Sequence, residues 1–252
     1  MMKKSLVILL GIFVAVATFA QSETRSLSSF SSISAHEGIN VYLSEGSEEQ
    51  ARIIVNGGNV EIDEVLTEIL GDRLKIHLKD KRGWNKNRNV DVDVFVTYKS
   101  LDGLSASSAA SIKAEDVIKA NGDFDVDVSS AGDIEAKIVG IAELEVEASS
   151  AGDADLEIEA EEIEANVSSS GGIDIKGIVG FQDINASSSG DYEGFDLVST
   201  EAEVSASSGG SIEINVKEKM RARASSGGSI RYDGNPSYVN SDASSGGRVK
   251  KS

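Results

Sequence analysis

A cluster of four small residues, two serines followed by two residues drawn from alanine, serine and glycine, recurs along most of this chain. The clusters begin at Ser107, Ser129, Ser149, Ser168, Ser187, Ser207, Ser225 and Ser244. Successive clusters are therefore 22, 20, 19, 19, 20, 18 and 19 residues apart. A period this regular is typical of repeat proteins, in which each unit buries its apolar face against its neighbours.

The residues between clusters alternate between apolar and polar side chains. Phe124, Val126 and Val128 alternate with aspartates before one cluster, and Ile134 and Ala136 continue the alternation after it. A period of two predicts strands with one buried face. Because one such unit has too little apolar surface to fold alone, we expect an all-β fold, a parallel β-helix with one turn of about 19 residues per repeat.

Each cluster is interpreted as a corner of the β-helix. The alternation keeps its phase across the cluster, so the second serine and the glycine are expected to face the core and the first serine to face solvent. Small side chains fit where the walls of a turn meet, and glycine also tolerates a sharp bend. A ladder of serines that binds a ligand is the alternative interpretation.

The N-terminus has the pattern of a secretory signal peptide over residues 1–20. Lys3 and Lys4 precede an apolar run, and Ala20 ends a small-residue cleavage site. The apolar run is shorter than the ~20 residues that a membrane-spanning helix needs. We therefore expect export to the periplasm, the outer surface or the medium, without stable membrane insertion. Residues 21–29 are expected to form a polar leader.

The composition disfavours several classes of binding partner and of activity. The formal net charge is -18, which disfavours binding to nucleic acid or to an anionic membrane. The chain contains no cysteine, so neither disulfides nor thiolate chemistry is expected. The two histidines, His36 and His77, have no evident catalytic partner in the sequence. The near-uniform repeats also leave little room for the groove of a polysaccharide-cleaving enzyme, so a non-enzymatic protein is expected.

Residues 30–105 are predicted to form an all-β N-terminal portion, which stacks on the repeats of residues 106–252. Segment 62–70 suits either a helix face or a strand, and a strand is the interpretation chosen here. Gly38-Ile39-Asn40 follows "FSSISAHE" and precedes "DRLKI", a valine-rich strand and the Ser/Gly clusters. This order resembles the head GIN domain family of auto-transporter adhesins, exported proteins of Bacteroidetes. The resemblance implies a right-handed β-solenoid with an adhesive or surface role and no established catalytic residues.

One segment stands out as a candidate contact site. Trp84 is the only tryptophan, and Lys81, Arg82, Lys86 and Arg88 surround it in an otherwise acidic protein. An exposed indole among cations is suited to stack on a sugar ring or to hold an anionic glycan. The alternative interpretation is a long hairpin tip whose cations balance nearby acids.

Two further features suggest other partners. Asp133 and Asp153 share one position of the repeat, so stacked turns would bring them close enough to bind Ca²⁺; a solvated acidic edge is the alternative. The last repeats are basic while the middle is acidic, which allows homo-oligomers through the solenoid ends. The expected function is recognition of a glycan or a protein at the cell surface or envelope. A self-assembling envelope protein is the first alternative, and a carbohydrate-active enzyme is the second.

Overall fold

The computed structural model describes residues 21–80 and 89–252. Its strands are β1 (Gln21–Ser26), β2 (Ser32–Ala35), β3 (Asn40–Glu45), β4 (Gln50–Gly58), β5 (Val65–Leu70), β6 (Arg73–Leu78), β7 (Val90–Tyr98), β8 (Gly103–Ala106), β9 (Ser111–Ala114), β10 (Ile118–Ser129), β11 (Asp133–Ser149), β12 (Asp153–Val167), β13 (Gly172–Ala186), β14 (Asp191–Ala206), β15 (Ser211–Ala224), β16 (Ser229–Asp233), β17 (Tyr238–Ala243) and β18 (Arg248–Lys251). A 3₁₀ helix, Ile62–Glu64, precedes β5. The strands coil into a β-solenoid of about 7 turns, which confirms the predicted fold class.

Successive turns pair in parallel, one repeat apart. Ile134 of β11 lies beside Ala154 of β12, which lies beside Ile173 of β13. Each turn contains a first straight segment after its corner, such as 133–139, and a second before the next corner, such as 143–148. A bend joins the two segments. The alternation seen in the sequence therefore becomes columns of like residues that run along the solenoid.

The inward columns form one continuous core. It extends from Phe30 in the N-terminal portion to Ile230 in β16, so the N-terminal portion and the repeats share it. Phe124, Leu144 and Ile163 stack in one column and are fully buried, as the alternation predicts. Because adjacent turns are only ~4.8 Å apart, like side chains in a column pack directly on one another.

The corners are tight turns with an unexpected backbone conformation. In the corner after β10, Ser130 and Ala131 have φ of 53° and 59°. The Gly132 N–H donates to the Ser129 carbonyl at 2.9 Å. Positive φ at both central residues with this hydrogen bond is the type I′ β-turn. The prediction that the second serine faces the core is wrong, because this turn directs Ser130 into solvent.

The glycine that ends each corner from Gly132 to Gly228 is buried, as predicted, but for a different reason. Its φ lies outside the left-handed region, so the bend itself does not require glycine there. A Cβ at Gly152 would lie 2.7 Å from the carbonyl carbon of Val128 in the preceding turn. Real Cβ atoms essentially never approach other atoms this closely, so the residue is glycine because two turns of backbone touch at this point.

The N-terminal portion contains a corner that lacks the serine cluster. His36 to Ile39 joins β2 to β3, and these strands pair in parallel with β8 and β9. Glu37 and Gly38 have φ of 64° and 73°, and the Gly38 N–H donates to the Ser108 carbonyl at 3.0 Å. Parallel stacking with a type I′-like corner therefore already begins at β2.

Antiparallel strands close the N-terminal end. β6 and β7 stack in parallel on β2 and β3, and β5 and β4 then pair antiparallel with β6 and β7. Segment 62–70 forms the 3₁₀ helix and β5, in agreement with the strand interpretation. Residues 21–26, within the predicted leader, form β1 on the edge of β4. Arg25 of β1 donates to the carbonyls of Val65 at 2.6 Å and Ile62 at 3.2 Å, which ties β1 to the 3₁₀ helix and β5.

The other end is more open. β17 pairs with β15, and β18 pairs with β16. Val239 of β17 is 42% exposed, whereas Met220 in the same column of β15 is fully buried. Within residues 21–80 and 89–252, no helix is long and apolar enough to cross a membrane.

Candidate functional site

β6 ends and β7 begins beside the column of corners, and the predicted contact segment lies between them in the sequence. β6 and β7 stack on β2 and β3, whose connection is the short corner His36 to Ile39. Between β6 and β7 the chain instead makes the long connection that contains Lys81, Arg82, Trp84, Lys86 and Arg88. These five residues lie outside the described residues, so the prediction for them stays a prediction.

The two ends of this connection are anchored. The Lys79 N–H donates to the Glu64 carbonyl at 2.7 Å, next to β5. The Asn89 N–H donates to the Asn59 side-chain oxygen at 2.9 Å, beyond β4. The connection therefore starts and ends at the antiparallel strands of the N-terminal end.

An aromatic stack lies on the outer face of β3 and β7. The rings of Tyr42 (β3) and Phe95 (β7) are 5.0 Å apart between centroids and 18° from parallel. The Arg52 guanidinium of β4 lies 4.4 Å from the Phe95 centroid. The two rings are half-buried, and together the three side chains form a stack across three strands.

A polar row lies beside the aromatic stack. Asn40 donates to Asp93 at 3.0 Å, and Asn56 donates to the other oxygen of the same carboxylate at 2.7 Å. Side-chain amides offer both donors and acceptors, and carboxylates offer acceptors. Polar groups of this kind beside aromatic rings are suited to sugar hydroxyls and to the apolar faces of sugar rings. We call Asn40, Tyr42, Arg52, Asp93 and Phe95 the N-terminal face.

Sequence reasoning did not single out the N-terminal face, although one signal was available. Tyr42 and Phe95 occupy the outward phase of their alternating strands, where polar residues are the rule. Their contact depends on β3 pairing with β7, strands separated by about 50 residues and three other strands. That pairing has no local signature.

The two histidines lie in separate contacts. His77 Nε2 lies 3.1 Å from Glu68 Oε2 at the surface. His36 Nδ1 lies 2.8 Å from Ser107 Oγ, and burial lowers the pKa of His36, with a contribution from Lys75. In a catalytic triad a carboxylate orients the histidine. Here the adjacent Glu37 instead accepts from the Leu78 backbone N–H at 2.6 Å.

The predicted calcium ligands are neighbours across two turns. Asp133 and Asp153 are paired in register, and Asp133 also accepts from Ser111 Oγ at 3.1 Å. Both line a cavity of 340 Å³ that opens over Gly172, where the column lacks a side chain. Among the residues that the structure describes, no group of three or more His, Cys, Asp or Glu side chains could hold a metal ion. Calcium binding stays a prediction.

The family comparison agrees with this architecture. Residues 29–236 match the family described as "Putative auto-transporter adhesin, head GIN domain". The chain belongs to this family. The family indicates an adhesin-type protein of the surface or the extracellular space.

Solved structures share the head GIN solenoid. A protein from Parabacteroides distasonis ATCC 8503 described as "putative lipid binding protein" has a TM-score of 0.82 and 21% identity, over 93% of this chain and 97% of that chain. A "putative adhesin" from Parabacteroides merdae ATCC 43184 has a TM-score of 0.82 and 19% identity over the same shares. A "putative adhesin" from Bacteroides fragilis NCTC 9343 has a TM-score of 0.67 and 16% identity, over 94% and 98%. At these identities the likeness shows the fold alone. No curated protein matches the chain.

The triplet that characterises the head GIN resemblance has a clear structural role in this chain. Gly38 takes the positive φ of the first corner, and Ile39 is fully buried. Asn40 is the only member that points outward, and it donates to Asp93 in the N-terminal face. The triplet thus joins a structural corner to the candidate surface.

Proposed function

We propose that this head GIN protein is an exported, non-enzymatic binding protein that recognises a glycan at the cell surface or envelope. The binding site is the N-terminal face, and residues 81–88 are proposed to contribute to it because they connect β6 to β7 in the sequence. The observation that carries this proposal is the aromatic stack of Tyr42 and Phe95 beside the polar row of Asn40, Asn56 and Asp93. Asp93 follows in the same strand that begins after Asn89, the anchored end of the connection that contains Trp84.

The chemistry of the site favours a glycan with anionic groups. Arg52 and the cations of residues 81–88 supply positive charge in a chain whose net charge is -18. Asn40, Asn56 and Asp93 supply hydrogen-bonding groups on a rigid sheet, which lowers the entropic cost of binding. The predicted signal peptide of residues 1–20 supports export, and a protein ligand is the other class that such a surface would accept.

The test is a screen of residues 21–252 against arrayed glycans and envelope polysaccharides. We expect binding to an acidic glycan that is lost in Trp84→Ala and weakened in Asn40→Ala. Tyr238→Ala is the matched control, because this half-exposed aromatic lies at the opposite end of the solenoid. Failure of the wild type to bind any glycan, or an equal loss in the control, would contradict the proposal.

Self-assembly through the solenoid ends is the second candidate. The open last turn favours it, because β17 and β18 present strand edges that can pair with another chain. Lys251, however, lies in the inward column of Tyr232, and Arg248 and Lys250 flank it. Charges on an edge strand oppose edge-to-edge pairing. A mass that rises with concentration in sedimentation equilibrium would favour this candidate over a monomeric binding protein.

A further inference from the structure

The two outer faces of the solenoid differ in charge. On the second segments of β10 to β14, Asp125, Glu145, Glu164, Asp183 and Glu203 form one column, each paired in register with the next. Further carboxylates flank this column on both sides at Asp123, Asp127, Glu143 and Glu147, and on one side at Glu162 and Glu201. We call the outer side of these residues the acidic face.

Within the part of the chain that the structure describes, cations lie at the two ends of the acidic face. Arg73 lines a cavity with Asp123, Asp125 and Asp127 at the N-terminal end, and a lysine and two arginines lie at the C-terminal end. There Lys219 contacts Glu201 at 2.7 Å, and Arg221 contacts Glu203 at 3.6 Å. The first segments are arranged differently, because lysines lie among their acids. Lys137, Glu157 and Lys176 alternate in one column, although the neighbouring column of Glu135, Asp155, Asp174 and Glu193 is acidic throughout. Lys113 pairs with Glu135 there at 2.5 Å.

Salt at physiological ionic strength does not remove the repulsion between neighbouring carboxylates of the acidic face. Neighbouring turns are ~4.8 Å apart, whereas the Debye length at physiological ionic strength is ~8 Å. Burial raises the pKa of Glu145, and the carboxylates of Asp125, Glu147 and Glu164 raise it further. Burial and the nearby Glu203 likewise raise the pKa of Asp183. A cationic partner would relieve this repulsion.

A groove with one large apolar side chain, Phe181, interrupts the acidic face. Phe181 occupies the column in which the adjacent turns carry Glu162 and Glu201. Ile178, three residues earlier, is 65% exposed, which makes it the most exposed of the large apolar side chains in the described residues. Phe181 and the small residues Ala142 and Gly180 line a groove of 700 Å³ with a carboxylate rim.

We propose that the acidic face, centred on the groove at Phe181, docks a cationic polypeptide segment that carries apolar side chains among its lysines or arginines. The cations would pair with the carboxylate columns, and an apolar side chain would contact Phe181 in the groove. Anionic glycans and anionic lipids are repelled by the same columns. The inference goes beyond the proposed glycan recognition and does not depend on it, because the N-terminal face is a separate surface with cations of its own.

The proposal is tested by fluorescence anisotropy with residues 21–252 at an ionic strength of about 0.15 M. The probe is a fluorescein-labelled peptide of alternating lysine and leucine. A peptide of alternating glutamate and leucine and an oligolysine of equal length are the comparison ligands. We expect the lysine-leucine peptide to bind more tightly than oligolysine, and the glutamate-leucine peptide not to bind.

Three variants locate the site. Phe181→Glu places in the groove the residue that both adjacent turns already accommodate, and Glu145→Gln with Glu164→Gln neutralises part of the central column. Each should weaken lysine-leucine binding about tenfold. Asp155→Asn with Asp174→Asn removes the same charge from the first segments and should change binding less than about twofold. Circular dichroism confirms that each variant is folded.

Several results would overturn the proposal. Absence of lysine-leucine binding would do so, as would an equal loss in the Asp155/Asp174 control, which would indicate general electrostatic attraction. If Phe181→Glu leaves binding unchanged, the groove is not the site. Self-association of the wild type that the acidic-face variants abolish would identify a second copy as the occupant instead. Trp84→Ala should retain peptide binding, so this proposal and the glycan proposal fail independently.

Discussion

The glycines of the corners provide the sharpest test of how this solenoid is held together. Gly171 ends one corner, and Gly209 is the third residue of a later corner. The two positions hold glycine for different physical reasons. Gly171 contacts the backbone of the preceding turn, whereas Gly209 has a φ of +77°. Substituting alanine at each position therefore separates close approach from backbone conformation.

The expected costs follow from the surroundings of each added methyl group. A Cβ at Gly171 would lie 2.7 Å from the Ala148 carbonyl carbon and oxygen, far inside the 3.5–4.0 Å of a favourable carbon contact. Backbone cannot move aside without separating two turns, so we expect Gly171→Ala to cost about 3 kcal/mol, the upper range for overpacking. At Gly209 the nearest atom to an added Cβ is Ser189 Oγ at 3.7 Å. Ala131 already adopts this conformation with φ of 59°, so Gly209→Ala should cost about 1 kcal/mol or less.

The measurement is urea unfolding of both variants, followed by far-ultraviolet circular dichroism. Repeat proteins can lose cooperativity, so the slope of the transition must be compared with that of the wild type before midpoints are converted into free energies. We expect a large shift of the midpoint for Gly171→Ala and a small shift for Gly209→Ala. Equal shifts, or a larger shift for Gly209→Ala, would refute the explanation by backbone contact.

Three further predictions concern the ends, the charges and the core. Arg25→Met should destabilise the N-terminal end by about 2 kcal/mol, because two backbone carbonyls lose charge-assisted hydrogen bonds; hydrogen exchange in β1 and β5 should accelerate while exchange in β12 stays unchanged. The pKa of Glu145 is raised in the folded protein, so this group stabilises the fold at acid pH and loses that contribution as the pH rises through the raised pKa. We therefore expect Glu145→Gln to unfold at a higher temperature than the wild type at pH 7. The difference in unfolding temperature should shrink on acidification. Gln182→Ala should cost about 3 kcal/mol in urea unfolding, since it opens a cavity and leaves the buried hydroxyls of Ser199 and Tyr192 without this partner; adding Ser199→Ala should recover part of the loss, and additive losses would contradict this account.

Much of the fold could be predicted because a strand has only two faces. The alternation around Phe124 and Leu144 determines which side chains are inward, and the period of the clusters determines which residues stack. The corners were less predictable. Small residues indicate a bend, but whether Ser130 faces the core depends on the sign of its φ, and non-glycine residues with positive φ are uncommon.

The first corner could not be recognised from the sequence, for a related reason. His36 to Ile39 shares no serine with the later clusters, yet it occupies the same place on the stack as Ser107 to Ala110. Once stacking fixes the conformation of a corner, a compatible sequence needs only to tolerate the turn and to bury its last residue. The N-terminal face was hidden because its residues meet through the pairing of β3 with β7, which is a property of the whole N-terminal portion.

The same reasoning indicates where binding information lies in a solenoid of this kind. The inward columns and the corners are constrained by packing, so their residues report the fold rather than a ligand. The outward columns are free of that constraint, and most of them contain the polar or charged residues that solvent favours. Departures from a column, such as Phe181 between two glutamates and the Tyr42–Phe95 stack beside a polar row, have no packing role in the core. We therefore expect substitutions at these outward positions to change binding while leaving stability nearly unchanged, and substitutions in the inward columns to do the reverse.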